Sequence, residues 1–286
     1  MIIGQEKIKS IININLTATK NYPHTLFVGG YGTGKTTMSM YIVEKLGYKF
    51  IPCLGSALDT ADEMISILSR LEENSILFID EIHSINSKAE EVLYIAMEEG
   101  VYYLDGEKIS LPKFTLLGAT TMEEKLSKPF RSRFQSILKL EGYKGQEIAK
   151  IIKEVISQAG VLFESGSIQS LVRASRLNPR MAVNLAKNTV NYSIALKRKI
   201  DFFLVQRVLR EMSIDKKGLN ENDHLYLNAL KTFKKQIGLA TISAFTGLSQ
   251  KTIREDIEPE LIKKGIIELT GKGRGLVKKN YDKGLF

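Results

Sequence analysis

The sequence predicts an α/β fold: a parallel-sheet domain first, an all-helical segment next, and a C-terminal helix-turn-helix closed by a β-ribbon. Three observations carry that prediction. Short apolar runs at Thr25–Val28, Tyr48–Cys53, Ser75–Asp80 and Phe114–Thr121 alternate with helical stretches, as in strands joined by helical crossovers. From Lys144 to Met212 the strand signature disappears and helical periodicity takes over. After Gly218, two helical runs meet at Gly247-Leu248-Ser249, and a glycine-rich basic stretch follows. These changes divide the 286 residues into expected domains at 1–141, 142–212 and 213–286.

The elements follow in order. Ile8, Ile11, Ile12 and Leu16 have helical spacing, so a helix is expected over Ile8–Thr19, broken at Tyr22-Pro23-His24. After the first strand comes Gly29-Gly30-Tyr31-Gly32-Thr33-Gly34-Lys35-Thr36, and then a helix from Thr37 to Leu46. Strand, G-x-x-x-x-G-K-T, helix is a phosphate-binding loop in its required setting. Gly29, Gly32 and Gly34 are expected to let backbone N–H groups approach a polyphosphate, through positive φ angles that other residues avoid. The helix that follows, with Thr37 in its first turn, turns its partly positive end toward the same anion. Lys35 reaches β- and γ-phosphates, and the Thr36 hydroxyl ligates Mg²⁺. A nucleoside triphosphate is the expected ligand.

Thr60-Ala61-Asp62-Glu63 reads as a capping box that starts the next helix. The strand Ser75-Ile76-Leu77-Phe78-Ile79 runs straight into Asp80-Glu81, placing two acids at the carboxyl edge where open α/β sheets bind ligands. Asp80 suits a metal contact through water, and Glu81 suits the base that activates an attacking water. Together with the loop they predict hydrolysis rather than binding alone. His83 reads as a hydrogen-bonded structural histidine. A helix over Ser87–Met97 precedes a short hairpin, Val101–Ile109, turning at Asp105-Gly106. The strand Phe114–Thr121 ends in Thr120 and Thr121, either of which can bond a γ-phosphate or the attacking water. Arg131 and Arg133 follow between Phe130 and Phe134, and arginine is the residue that stabilises charge on a transferring phosphoryl group, often from a neighbouring subunit.

Four helices are expected over Gly145–Ala159, Ser165–Ser175, Pro179–Ile194 and Asp201–Met212. Asn178-Pro179-Arg180 is a helix start that fixes Arg180 in the first turn. Further helices are expected at Asn222–Phe233, Leu239–Thr246 and Gln250–Lys264, and strands at Ile266–Thr270 and Leu276–Lys279 around Gly271–Gly275, which makes a winged helix. The second helix of its helix-turn-helix carries Glu255, Asp256, Glu258 and Glu260, which phosphates repel. The basic wing is therefore the expected nucleic-acid contact, electrostatic and indifferent to sequence.

Charge agrees with that division. The net charge is +9, yet residues 1–141 are net acidic at −3, while 142–212 and 213–286 carry +7 and +5. Hydrophobic content of 43% and charged content of 26% are those of an ordinary globular chain. No run approaches the ~18 apolar residues of a membrane span, and the N-terminus lacks the order of a signal peptide. One cysteine, Cys53, excludes an internal disulfide, and nothing has zinc-ligand spacing. A cytoplasmic protein is expected.

On these residues the chain resembles the RuvB family of AAA+ Holliday-junction branch-migration ATPases, almost end to end. The matching stretches are Ile3-Gly4-Gln5, Gly34-Lys35-Thr36-Thr37, Leu77-Phe78-Ile79-Asp80-Glu81-Ile82-His83, Glu90-Glu91-Val92-Leu93-Tyr94, Phe114–Thr121, Arg131-Ser132-Arg133-Phe134, Asn178-Pro179-Arg180 and Gly218-Leu219-Asn220. The resemblance implies a ring of subunits, usually six, around duplex DNA, with ATP and Mg²⁺ at each site. Nucleotide contacts would come from Ile3, Gly32, Thr33, Gly34, Lys35, Thr36 and Thr37. Asp80 and Glu81 would be the metal-binding and water-activating acids, Thr120 or Thr121 the γ-phosphate sensor, Arg133 the finger acting on a neighbour, and Arg180 the lid sensor. Lys272 and Arg274 would be the DNA contacts of the wing.

Two departures qualify the resemblance. The family's longer N-terminal lead, which contributes around the adenine, is absent ahead of Ile3, so phosphate recognition is better specified than base recognition. The family's hairpin before the sensor strand is longer and docks on the partner RuvA, whereas here it is cut to the Asp105-Gly106 turn, which loosens the expectation of a RuvA-type loader. Two other readings share the nucleotide motifs. One is a non-translocating AAA+ switch, such as a clamp- or helicase-loader, acting on a protein client. The other is a winged-helix regulator whose nucleotide site controls assembly, against which the acidic recognition helix argues.

Overall fold

The structure, a computed structural model, describes residues 2–18, 21–215 and 217–277. The chain divides into two compact units. One comprises the chain up to Glu147 together with Asn178–Arg180, and the other comprises Ile148–Leu177 and the chain from Met181 onward.

The first unit contains helix α1 (Glu6–Ala18), strand β1 (Thr25–Val28), α2 (Lys35–Leu46), β2 (Lys49–Leu54), α3 (Ala61–Leu68), β3 (Ser75–Asp80), α4 (Ser87–Glu99), the hairpin β4 (Val101–Leu104) and β5 (Glu107–Ser110), β6 (Phe114–Thr120), the single turn α5 (Lys128–Arg131), and β7 (Ser136–Lys139). Five strands form a parallel sheet in the order β2-β3-β6-β1-β7. Side chains alternate across the sheet, so each strand feeds two cores. Leu26, Leu77, Ile79 and Leu116 face a cluster with Met64, Leu68 and Leu93 from α3 and α4. Phe27, Ile76, Phe78 and Leu117 face the opposite cluster with Ile8, Ile12, Met38 and Ile42 from α1 and α2. Two-sided burial explains why β1, β3 and β6 read as near-continuous apolar runs.

The capping box at Thr60 is formed: its hydroxyl accepts from the Glu63 N–H at 3.2 Å, and the Glu63 carboxylate accepts from the Thr60 N–H at 3.0 Å. The hairpin turns at Asp105 and Gly106 with φ of 51° and 84°, the pair of positive angles that suits the twist of its strands. Strand β7 was not anticipated. Its four residues alternate in burial and lack the apolar run of the inner strands, because β7 lies at the sheet edge beside β1.

The second unit contains α6 (Gly145–Gln158) from Ile148 on, α7 (Ser165–Ala174), α8 (Pro179–Ala195) from Met181 on, α9 (Phe202–Glu211), α10 (Glu221–Phe233), α11 (Leu239–Thr246), α12 (Gln250–Thr252), α13 (Glu258–Lys263), and the wing strands β8 (Ile267–Thr270) and β9 (Gly273–Leu276). Tyr226, Leu230, Ile242, Ile253, Ile257 and Leu261 pack together as the core of the winged helix. The continuous helix expected over Gln250–Lys264 is instead interrupted by a π-helical segment at Ile253–Ile257. Pro259 is the physical reason: it has no N–H to donate, and its ring crowds the carbonyl four residues back.

The wing also differs from expectation. Rather than a five-residue glycine-rich loop ahead of a strand at Leu276–Lys279, it is a tight hairpin turning at Gly271-Lys272, with Thr270 paired to Gly273 and Leu269 to Arg274. Lys278 and Lys279 of that expected strand, the tail beyond them, and Thr19 of the first expected helix lie outside the described residues.

Candidate nucleotide site and wing

Strand order assembles the site. In the sheet β6 lies between β1 and β3, with Val28 opposite Thr120 and Ile79 opposite Gly118. The three strands therefore end almost level, and the loops that leave them share one carboxyl edge. The loop after β1 begins with Gly29, whose N–H donates to the Thr120 carbonyl at 3.1 Å. Gly32 and Gly34 have φ of 74° and 100°, as the phosphate loop requires. Gly29 does not share that angle and serves through space: a Cβ there would lie 2.9 Å from Thr33 Oγ1 and 3.1 Å from Leu140 Cβ. Thr33 closes the loop by donating its hydroxyl to the Gly30 carbonyl at 2.9 Å. Helix α2 begins at Lys35, leaving Thr36 and Thr37 exposed in its first turn.

Lys35 is buried, with its Nζ donating to the Gly29 and Gly30 carbonyls at 2.8 and 3.1 Å. Burial pushes its pKa down, Glu81 and Asp80 oppose that shift, and Arg180 adds to it. All four charges therefore converge on one place, and the ammonium rests where a phosphate would give it stronger partners.

Asp80 ends β3, and its Oδ1 accepts from the Glu81 N–H at 3.0 Å. Glu81 adopts the left-handed region at φ 48°, a conformation that non-glycine residues hold only when surrounding structure imposes it. Its Oε2 accepts from the Thr121 hydroxyl at 3.3 Å and lies 3.2 Å from His83 Nδ1. His83 Nδ1 is in turn 2.9 Å from Thr120 Oγ1, which accepts from the Met122 N–H at 3.0 Å. The two threonines thus separate. Thr120 is wholly buried and engaged with His83, while Thr121 is half-buried and contacts Glu81. His83, read from sequence as structural, belongs to this network. The signal was its position, two residues past Glu81.

The motif Ile3-Gly4-Gln5 is pinned to the segment after β7. Gln5 Nε2 donates to the Glu141 carbonyl at 2.7 Å and the Glu141 N–H donates back to Gln5 Oε1 at 3.2 Å. A Cβ on Gly4 would meet the Tyr143 ring at 3.0 Å, and one on Gly34 would meet the Tyr143 hydroxyl at 3.3 Å. Gly4, next to half-buried Ile3, and Gly34 of the phosphate loop thus both lie against Tyr143, which sequence reasoning did not single out. Burial raises the Tyr143 phenol, a Gln5 hydrogen bond opposes this, and Glu147 reinforces it.

Asn178 reaches the loop as well, donating from Nδ2 to the Tyr31 carbonyl at 2.8 Å, and its amide fills the space above Gly32. Arg180, two residues on, is exposed and close enough to weigh on Lys35. Arg133 stands apart from these groups. Its guanidinium lies over the Tyr94 ring at 4.8 Å, donates from Nη2 to the Tyr94 hydroxyl, and pairs through Nε with Glu98, all on α4.

In the wing, Lys272 is exposed at the hairpin tip. Arg274 is not the free cation that its sequence position suggests. It lies on β9, where Nε donates to Glu258 Oε1 at 2.8 Å and Nη2 approaches Oε2 at 3.4 Å. Glu258 is buried and also accepts from the Tyr226 hydroxyl at 3.0 Å, so Arg274 ties the wing to α10 and α13. Inward alternation on a short strand accounts for the difference. Among the described residues, no helix is long and apolar enough to cross a membrane.

Comparison with known proteins places these features in a family. Residues 1–140 match the family described as Holliday junction DNA helicase RuvB P-loop domain, and residues 216–283 match the RuvB C-terminal winged helix domain. The Holliday junction branch migration complex subunit RuvB of Mycoplasmopsis pulmonis is 34% identical across 97% of this chain and 93% of its own length. The same subunit of Campylobacter jejuni is 36% identical across 99% of this chain and 91% of its own. The solved Thermotoga maritima RuvB Holliday junction branch migration motor superposes with a TM-score of 0.86 at 33% identity, covering 99% of this chain and 95% of that one.

Proposed function

The chain belongs to the RuvB family, and from that premise we propose that it is an ATP-hydrolysing motor subunit that drives branch migration of Holliday junctions. The observation that carries the chemistry is the shared edge of β1, β6 and β3, which brings Lys35, Thr121, Asp80 and Glu81 together. On nucleotide binding, Lys35 exchanges the Gly29 and Gly30 carbonyls for β- and γ-phosphate oxygens, and the N–H groups of Gly32, Thr33 and Gly34 with the start of α2 cradle the rest. Ile3 and Tyr143 bound the base side, and Arg180 reports on the phosphates. The Thr36 hydroxyl and Asp80 carboxylate are hard oxygen donors. These two side chains would hold a Mg²⁺, an ion that commonly takes only one or two protein carboxylates beside substrate phosphates. When bound, that ion neutralises phosphate charge.

Glu81 accepts a proton from water as the water oxygen attacks the γ-phosphorus. The bond to the β,γ-bridging oxygen breaks, and ADP and inorganic phosphate leave. Arg133 serves the site of a neighbouring copy in a homo-oligomeric ring, a hexamer in this reading. Tyr94 and Glu98 hold its guanidinium on α4 until then. The division into nucleotide domain 1–141, lid 142–212 and winged helix 213–286 belongs to the same reading, as do duplex or four-way-junction DNA held by the wing at Lys272 and a cytoplasmic setting. The four-residue strands of the β4–β5 hairpin leave little to hold a RuvA-type loader.

The test is ATP hydrolysis with no DNA, with linear duplex and with a four-way junction, with Lys35→Ala as the inactive control. Stimulation by DNA supports a motor that loads itself. Lys35-dependent turnover that neither DNA alters would overturn it in favour of a switch acting on a protein client.

A further inference from the structure

We propose that Arg176 is a positioning residue that ties the winged helix to the segment entering the nucleotide site, so that the nucleotide bound sets how tightly the wing holds DNA. This rests on the motor reading above and concerns how that same site acts on its DNA. Three observations carry it.

The first is a clamp made by one side chain. Arg176 follows α7, and its guanidinium engages three separate places from Gly218 onward. Nη2 pairs with Asp223 Oδ2 in the first turn of α10. Nε donates to the Gly218 carbonyl at 3.2 Å, and Nη1 donates to the Asp256 carbonyl of the π-helical segment at 3.4 Å. The planar fork of arginine lets one residue serve three directions at once.

The second is burial. Asp223 is wholly buried, and only 10% of the Arg176 side chain is exposed. The same Asp223 oxygen accepts from the Asn220 N–H at 2.7 Å, in the capping box that starts α10. Burial raises the Asp223 pKa, and the Asn220 N–H and the Arg176 charge oppose that rise. Removing the guanidinium would strand a buried carboxylate, so the pair strongly prefers one arrangement. Gly218 also packs on the end of α7, since a Cβ there would lie 2.7 Å from the Arg173 carbonyl. The winged helix is thus seated on α7.

The third is the shortness of the link. Arg176 belongs to the second unit, Asn178 is grouped with the first, and Leu177 alone separates them. Asn178 Nδ2 donates to the Tyr31 carbonyl of the phosphate loop, and Arg180 follows Pro179, whose φ is fixed by its ring. Arg176 and Leu177 both hold positive φ, 55° and 58°, which non-glycine residues keep only where their surroundings impose it. So short a link, with its backbone held, has little slack. A displacement of Asn178 or Arg180 on nucleotide exchange is passed to Arg176 and through its clamp to α10. From α10 it reaches the wing strands, because Tyr226 and Arg274 share Glu258.

Coupling between two binding sites is reciprocal, so DNA affinity reads it directly. The test measures duplex-DNA affinity in ADP and in a non-hydrolysable ATP analogue, together with DNA-free turnover and thermal melting. It compares wild type with Arg176→Met and with the double variant Arg176→Met/Asp223→Asn, which strands no buried charge and keeps an oxygen acceptor for the Asn220 N–H. In wild type the two nucleotides should give DNA affinities about tenfold apart, within the usual range for coupled sites. In both variants the ratio should fall to about one while DNA-free turnover stays at the wild-type level. If the single variant does not melt cooperatively, the double variant decides. A wild-type ratio in a folded variant would overturn the proposal. Equal loss of DNA-free turnover and of the ratio would overturn it too, as would loss of cooperative melting in both variants, because the pair would then serve stability alone. Wild-type protein whose DNA affinity ignores the nucleotide, or whose turnover does not depend on Lys35, would instead defeat the motor reading.

Discussion

Acid should loosen the nucleotide unit through one histidine far from the chemistry. His24 precedes β1, its Nδ1 accepts from the Leu116 N–H at 2.8 Å, and its ring lies 5.3 Å from Phe114. Burial alone lowers its pKa from 6.5 to about 4. The unfolded chain therefore binds a proton that the folded one refuses, so stability is complete above the unfolded value and declines as pH falls through it, until the folded value is reached. Linkage between those two values gives a full difference of about 3 kcal/mol, of which about 2 kcal/mol is already lost near pH 5 relative to neutral pH. Protonating Nδ1 would also remove the acceptor for the Leu116 N–H. The assay is urea unfolding of wild type and His24→Asn near pH 7.5 and near pH 5. Asn supplies an oxygen acceptor close to the Nδ1 position and does not titrate. Wild type should lose about 2 kcal/mol more than the variant on acidification, without a change in urea dependence that would signal altered exposure. Equal loss in both proteins would refute the assignment of acid sensitivity to this ring.

Three further predictions concern the finger, the wing and the packing of the second unit. Arg133→Ala subunits and Glu81→Gln subunits should each lack turnover alone, and mixed rings should regain part of it because an intact Arg133 then faces an intact Glu81; no recovery at any mixing ratio counts against action between subunits. Lys272→Ala should weaken DNA binding and reduce the salt slope by about one phosphate contact, whereas Arg274→Ala should lower the melting temperature by uncoupling buried Glu258; equal melting temperatures for the two variants would contradict that division. Gly218→Ala should destabilise more than Gly247→Ala. Both glycines have positive φ, but a Cβ on Gly218 would lie 2.7 Å from the Arg173 carbonyl while one on Gly247 meets open space, so the strained angle alone costs about 1–2 kcal/mol at either position and the clash adds to it only at the first.

What was legible beforehand was local. The phosphate loop, the acids after β3, the capping box at Thr60 and the Asp105-Gly106 turn are contiguous, and each depends on backbone conformation that a few neighbouring residues dictate. The same holds for the apolar runs of β1, β3 and β6, whose burial on two faces leaves no ambiguity. Elements read less well where context decides. Edge strand β7 carries half the apolar signal of its neighbours, and the helix expected from Gln250 breaks because Pro259 constrains a segment that otherwise looks helical. Within the wing, shifting the strand forward to Gly273–Leu276 turns Arg274 inward onto Glu258.

The sequence by itself thus determined the kind of chemistry, a triphosphate cradled by a loop and faced by an acid pair, together with the family. It did so because those features lie within a few residues of one another along the chain. Only the tertiary structure decided which groups lie against them: His83 by Glu81 and Thr120, Asn178 on the loop at Tyr31, Tyr143 beside Gly34, and Tyr94 and Glu98 around Arg133. These partners are separated by up to 147 residues in the chain. Strand order and burial bring them together, and no local pattern encodes a distance across a sheet.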